Sequence, residues 1–263
     1  MESCRYSQIC SRVTAQATYW RDVEGRPVRW NSSTKAWGLV EIAPEEISDI
    51  EETSARDRVS ELSRIVSGEK SGDRFKSNLA KRSKDVIEAY EKLSDDQLDS
   101  ISLYTTEEFT YINNHLRGKK SEDLSPEQQE FYAKKANDLT EALRRIPNAK
   151  SQTYYRGTAG DIETSAAQRK FAKLKPGDTF QDKSFGSYST SSDAAQEFID
   201  REVSSTYFIL KSSSLKQVDV LSSSPQEEEH LSMPGQKFLV KSNNMVDDRS
   251  MGRVRVIELE DAV

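Results

Sequence analysis

Pro147 divides the chain into two textures, and this division constrains the fold more than any other feature of the sequence. From about residue 51 to Ile146, apolar residues recur at helical spacing. Val59, Leu62 and Ile65 form one stripe, Val86, Ile87 and Tyr90 follow Ser83, and Leu98, Ile101 and Leu103 follow Ser94. Thr105-Thr106-Glu107-Glu108 suits a helix N-terminus, and the stretch with Phe109, Ile112 and Leu116 stops at Gly118. Ser125-Pro126-Glu127-Gln128 is a cap with Pro at the first helical position, opening a helix through Phe131, Leu139 and Leu143 that Pro147 ends. Beyond Pro147 come short runs rich in β-branched and aromatic residues, at 152–156, 185–191, 205–211, 217–221, 227–233, 237–241 and 253–259. Two helices interrupt them, at 166–174 after Thr164 and at 194–203 after Ser192. Helices first and strands afterwards predict an α+β fold with segregated layers, not alternating βαβ units. No GxGxxG is present to support a Rossmann site.

Residues 1–50 show little period. Residues 1–15 read as a tail, and 18–42 as short extended pieces around Thr18-Tyr19-Trp20 and Trp37-Gly38-Leu39-Val40, with an irregular arm the alternative. The expected organisation is a polar arm over 1–50 and one domain over 51–263, divided into a helical subregion (51–146) and a strand core (147–263). Composition narrows the function. Net charge is -6 with no basic block, so the footprint of a general nucleic-acid binder is missing. The only cysteines are Cys4 and Cys10, and His115 and His230 stand far apart, so neither a disulfide framework nor a zinc site is expected. The first residues hold no apolar leader segment, and nothing approaches the roughly 18 apolar residues of a membrane span. A soluble chain without a cleaved signal peptide is expected.

Three segments carry candidate chemistry. In Tyr154-Tyr155-Arg156-Gly157, an Arg at a strand end can clamp a pyrophosphate with its fork, and Gly allows close approach; a surface Arg before a turn is the bland alternative. In Phe185-Gly186-Ser187-Tyr188-Ser189-Thr190-Ser191-Ser192, strand alternation puts Ser189 and Ser191 on one face, where two hydroxyls can orient a polar ligand; a serine-rich loop is the alternative. In Pro225-Gln226-Glu227-Glu228-Glu229-His230-Leu231, a strand would point Glu227 and Glu229 the same way, about 7 Å apart at Cα. Such a pair can divide two tasks, stabilising positive charge on a sugar and holding a cationic acceptor. A solvated Glu run is the alternative.

Taken in order, Arg-Gly, Ser-Thr-Ser and Glu-x-Glu resemble the R-S-E clade of mono-ADP-ribosyltransferases, which includes binary actin-modifying toxins and bacterial effectors. Tyr104-Thr105, Tyr111-Ile112-Asn113 and Leu116-Arg117-Gly118 resemble the helix that precedes the Arg in that family. Pro234-Gly235-Gln236-Lys237-Phe238-Leu239-Val240 resembles the strand after its glutamates. The likeness spans about residues 75–260, and His230 departs from it where the family has Val, Ile or Leu.

The resemblance implies a split β-sandwich that binds NAD as substrate, with no metal. It implies that Arg156 holds the phosphates and Gly157 meets the nicotinamide amide. Ser189 would position Glu229, with Thr190 and Ser191 in support. Glu229 would stabilise the oxocarbenium-like centre and Glu227 would activate the acceptor, an arginine, with a hydroxyl side chain as the alternative. Phe198 would pack near the nicotinamide or in the core, and 221–226 would be a mobile loop meeting the target. His230 would point to the core. A monomeric bacterial effector is implied, secreted without a cleaved signal peptide and acting on a host protein, with no nucleic acid or membrane as partner. NAD glycohydrolysis, a non-catalytic binding module of the same fold and a glycoside hydrolase remain as alternatives.

Overall fold

The computed structural model describes residues 54–119, 124–160, 165–222 and 224–262, and before them only strands at 10–14, 17–21, 27–31 and 36–39. Those four, β1 (Cys10–Thr14), β2 (Ala17–Arg21), β3 (Pro27–Asn31) and β4 (Ala36–Leu39), pair in sequence order as an antiparallel sheet. A strand therefore occupies part of the 1–15 expected to be a tail, and β2 and β4 fall on the two expected apolar islands. Residues 1–9, Val40 and Thr164 lie outside the described residues.

The helical stretch contains α1 (Ala55–Val66), α2 (Arg74–Arg82), α3 (Lys84–Tyr90), α4 (Asp95–Tyr104), α5 (Phe109–Leu116) and α6 (Pro126–Arg145). Ser94 and Ser125 close capping boxes with Gln97 and Gln128. α5 starts differently from expectation. Its N-cap is Glu108, which makes no side-chain cap bond; Thr106 Oγ1 sits one step back, donating to the Leu103 carbonyl and accepting from the Glu108 N–H. α2, absent from the sequence reading, is capped by Asp73 and buries only Leu79 and Ala80. So short an apolar face leaves a weak periodic signal.

The second half contains β5 (Gln152–Ala159), α7 (Ala166–Lys173), β6 (Thr179–Gln181), β7 (Gly186–Ser189), α8 (Ser192–Gln196), β8 (Ser205–Ser212), β9 (Lys216–Gln217), β10 (Glu229–Ser232), β11 (Lys237–Asp248) and β12 (Gly252–Asp261). The helix expected at 194–203 is only the five-residue α8. The strand expected at 217–221 is only the end of β9, because 218–221 forms a turn closed by Leu221 N–H to the Val218 carbonyl.

These strands form an eight-stranded mixed sheet in the order β6-β11-β12-β8-β5-β7-β10-β9. The expected α+β fold is what the chain adopts. β5 pairs with β8 along its whole length, but with β7 only at Tyr155 and Ser189. The sheet is therefore two halves joined at one point. The larger half, from β6 to β5, packs an aromatic core of Phe171, Phe180, Phe208 and Phe238 with Tyr154 and Tyr188. The smaller half (β7, β10, β9) and its flanking turns contribute Phe185, Leu231, Val218 and Leu221 to the core of the helices.

Candidate active site

The candidate residues collect around the seam. Past the Tyr155–Ser189 pair the two strands diverge, and Arg156 is the next residue of β5. It lies inside the strand, not at the strand end expected from the sequence. Its guanidinium carbon stands 5.7 Å from the centre of the Tyr188 ring. Room for it comes from Gly186, where a Cβ would lie 2.7 Å from Arg156 Nη1. Gly157 has a different neighbour: a Cβ there would overlap the Ala195 carbonyl oxygen of α8. That glycine lets α8 sit directly on β5.

Glu229 opens β10, opposite Ser189 in the β7 register. It is 8% exposed, and Ser187 Oγ donates to its Oε1 at 2.6 Å. Burial pushes its carboxyl up to about 7, helped by the negative charges of Glu227 and Asp219 and opposed by Ser187 and Arg156. The serine that hydrogen-bonds the Glu229 carboxylate is thus Ser187, not Ser189. Ser189 Oγ instead donates to the Glu227 carbonyl at 2.5 Å and accepts from the Ser191 N–H at 2.8 Å. Ser191 also caps α8, and Thr190 Oγ1 bonds the Glu228 carboxylate. The motif fastens the turn ahead of Glu229, while the residue two before it on the same strand face holds the carboxylate. Alternation shows that Ser187 and Ser189 share a face, but choosing between them needs side-chain geometry.

Glu227 does not lie on a strand with Glu229. It ends a 3-10 turn (Pro225–Glu227), and Glu228 follows with φ 51° and ψ 48°, in the left-handed region. The half-buried Glu227 carboxyl is raised by burial and by the neighbouring Glu197 carboxylate. Phe198, expected beside the nicotinamide or in the core, is 56% exposed just past α8, its Cβ close to Gly157; exposure excludes the core role. Leu221 and Ser222 are buried, and among the described residues of the expected 221–226 loop Gln226 is the exposed one. His230 is buried against Tyr154, ring centres 5.0 Å apart, and its Nδ1 bonds the Glu228 carbonyl at 2.8 Å, a structural placement.

The helices close the site from one side. Asn113 Nδ2 donates to Tyr104 Oη at 3.0 Å, and Asn113 Oδ1 accepts from the Phe185 N–H at 3.2 Å. Arg117 grips Asp182 through Nη2 at 2.9 Å. The buried Tyr104 hydroxyl is raised by burial and then by Glu229, and lowered by Asn113, Arg156 and Arg117. Both site charges thus lie within reach of one tyrosine. The arrangement offers a fixed cation, a deeply buried carboxylate and a second, more accessible carboxylate. Among the described residues no cluster of His, Cys, Asp and Glu suited to a metal ion is found, and no helix is long and apolar enough to cross a membrane.

The profile of the ADP-ribosyltransferase exoenzyme family matches residues 80–260. Among solved structures, the ADP-ribosyltransferase Vis in complex with agmatine is similar at 17% identity and TM-score 0.56, covering 76% of this chain and 90% of that one. Vis is a toxin from Vibrio splendidus. Plx2a, an ADP-ribosyltransferase toxin from Paenibacillus larvae, is similar at 20% identity and TM-score 0.52, covering 68% and 92%. BECa, an ADP-ribosylating toxin of a binary enterotoxin of C. perfringens solved with NADH, is similar at 16% identity and TM-score 0.53, covering 71% and 48%. At these identities the structures speak for the fold alone. No curated protein sequence matches the chain.

Proposed function

The chain belongs to the ADP-ribosyltransferase exoenzyme family, and from that premise we propose that it is a mono-ADP-ribosyltransferase of the R-S-E type, moving ADP-ribose from NAD to an arginine of a protein. The observation that carries the reading is Glu229: a buried carboxylate held by Ser187 beside the seam, within electrostatic reach of Arg156. Arg156 takes the pyrophosphate in the space Gly186 leaves, and Gly157 and Phe198 flank the nicotinamide. The bond between nicotinamide and ribose breaks with its electron pair leaving on nicotinamide. The ribose becomes cationic, and an ionised carboxylate in a water-poor site stabilises that charge strongly. The acceptor nitrogen then bonds the ribose carbon and gives its proton to Glu227. A raised carboxyl suits that role, and Glu227 beside Glu197 suits a cationic acceptor. Ser189, Thr190 and Ser191 hold the turn that carries Glu227.

The helical region and the strand core act together as one catalytic domain over 51–263, behind the arm at 1–50. The exposed end of the 224–226 turn meets the target. Membership of an exoenzyme family supports reading the chain as an effector that acts on a host protein.

The test is incubation of the purified protein with labelled NAD and a host-cell lysate, with Glu227→Ala/Glu229→Ala alongside. A discrete labelled band that vanishes in the variant is expected. Nicotinamide release with no labelled protein would replace transfer by hydrolysis, and no NAD turnover by a folded protein would leave a binding module.

A further inference from the structure

Glu228 is the only non-glycine residue with positive φ among the described residues. It separates the two candidate catalytic carboxylates, and its left-handed conformation breaks strand alternation between them. A side chain in that conformation must be held by its surroundings. Here the Glu228 carboxylate is gripped by Arg82 Nη1 on one oxygen and Thr190 Oγ1 on the other.

Arg82 is the last residue of α2, so it comes from the helical region and not from any of the catalytic motifs. Its second nitrogen, Nη2, meets the fully buried Asp219 at 2.6 Å and the Pro225 carbonyl at 3.4 Å. Asp219 starts the segment that Glu228 ends. The Val218 and Asp219 N–H groups donate to the Glu229 carbonyl at 3.0 and 3.2 Å, so both ends of the segment meet at β10. The next residue, Ser83, accepts from Gln217 Nε2 at 2.7 Å. One guanidinium fork therefore spans the beginning, middle and end of the connection that delivers Glu227. A lysine could neutralise Asp219, but its single ammonium could not reproduce the fork.

We propose that Arg82 is a positioning residue for protein transfer, stapling 219–228 so that Glu228 stays left-handed and Glu227 stays turned toward the acceptor. The inference rests on the reading of Glu227 as the acceptor carboxylate. It assigns α2 a role in choosing between a protein acceptor and water. Glu229 is held separately, by Ser187 and the β7–β10 ladder.

The test uses the full chain as wild type, Arg82→Lys, Glu228→Gly and the double variant. Glycine adopts the left-handed region without a side chain to be held. Hydrogen exchange over 218–230 reports the staple without reference to NAD. Arg82→Lys should speed exchange there about tenfold while β5 and β8 keep wild-type protection. In the same variant, lysate labelling from NAD should fall about tenfold and nicotinamide release to water less than threefold. In the Glu228→Gly background, where Arg82 keeps only its Asp219 and Pro225 contacts, Arg82→Lys should cost labelling less than it does in the wild-type background. Unchanged exchange in 218–230, or equal loss of labelling and hydrolysis in a protein of wild-type melting temperature, overturns the staple. If Arg82→Lys speeds exchange as expected but the wild type turns over no NAD, the transferase reading fails and the staple survives as an architectural element.

Discussion

The two halves of the central sheet are held in different ways. The larger half carries Arg156 and supports itself, with β5, β8, β12 and β11 in long ladders around aromatic rings. The smaller half carries Glu229 on a four-residue strand and is held from outside by the helices. Arg58 donates to the Leu221 carbonyl, Tyr90 to the Gln217 carbonyl, Asn113 meets Phe185, and Arg117 meets Asp182. A cation needs only room, which Gly186 provides. A carboxylate with a raised pKa needs enclosure, and the small half with its helices provides it. On this account the helical region belongs to the catalytic unit and is more than a docking platform.

The most severe way to break this division is Glu229→Gln. Nicotinamide release should fall about 10³-fold, while calorimetry should show NAD binding within a few-fold of wild type. Activity within tenfold of wild type would place the decisive carboxylate elsewhere. Glu227→Gln should cut protein labelling about 10²-fold and leave hydrolysis nearly intact; parallel loss of both would merge the two roles.

The pH dependence sharpens the contrast. Glu229 must be ionised to act, so nicotinamide release should rise with pH through about 7. Its folded pKa lies above its unfolded value of 4.5, so stability from this group is full below about 4.5 and is lost as pH rises to about 7. At pH 8, Glu229→Gln should therefore be more stable, by something on the order of 3 kcal/mol, with the advantage gone at pH 4. Thermal melts at the two pH values check it; no gain at pH 8 would mean the carboxylate is not strained by burial.

The two glycines give the smallest effects: Gly186 tests the contact across the seam, and Gly157 the packing of α8 on the larger half. Gly186→Ala puts its Cβ against the end of Arg156 and against the buried Ser232 hydroxyl, so KM for NAD should rise about tenfold, with a small loss of melting temperature from the Ser232 contact. Gly157→Ala presses on the backbone of α8, so it should cost about 1–2 kcal/mol of stability. Steady-state kinetics and melts on both variants would show whether ligand room and packing are divided this way.

Much of the architecture was legible from capping and period. Ser94 and Ser125 start helices where the sequence places them, and Gly118 ends one with φ 70°. α2 and β6 were not legible: each has too few buried residues to set a period. The motif residues were visible, but their contacts were not. Whether Ser187 or Ser189 holds Glu229 depends on how the side chains settle across the β7–β10 ladder. The displacement of Glu227 from the strand depends on the left-handed Glu228, for which no glycine or asparagine gave warning. Arg82, 146 residues from its partner Glu228, carries no local signal at all.

Hydrogen exchange on Glu229→Gln, with and without saturating NAD, tests most directly the proposal that Arg156 and Glu229, on the two halves of the sheet, act on one NAD molecule. NAD should slow exchange in both β5 (Gln152–Ala159) and β10 (Glu229–Ser232), joining the two halves through one ligand. Protection confined to one half, or lying away from both strands, would contradict it.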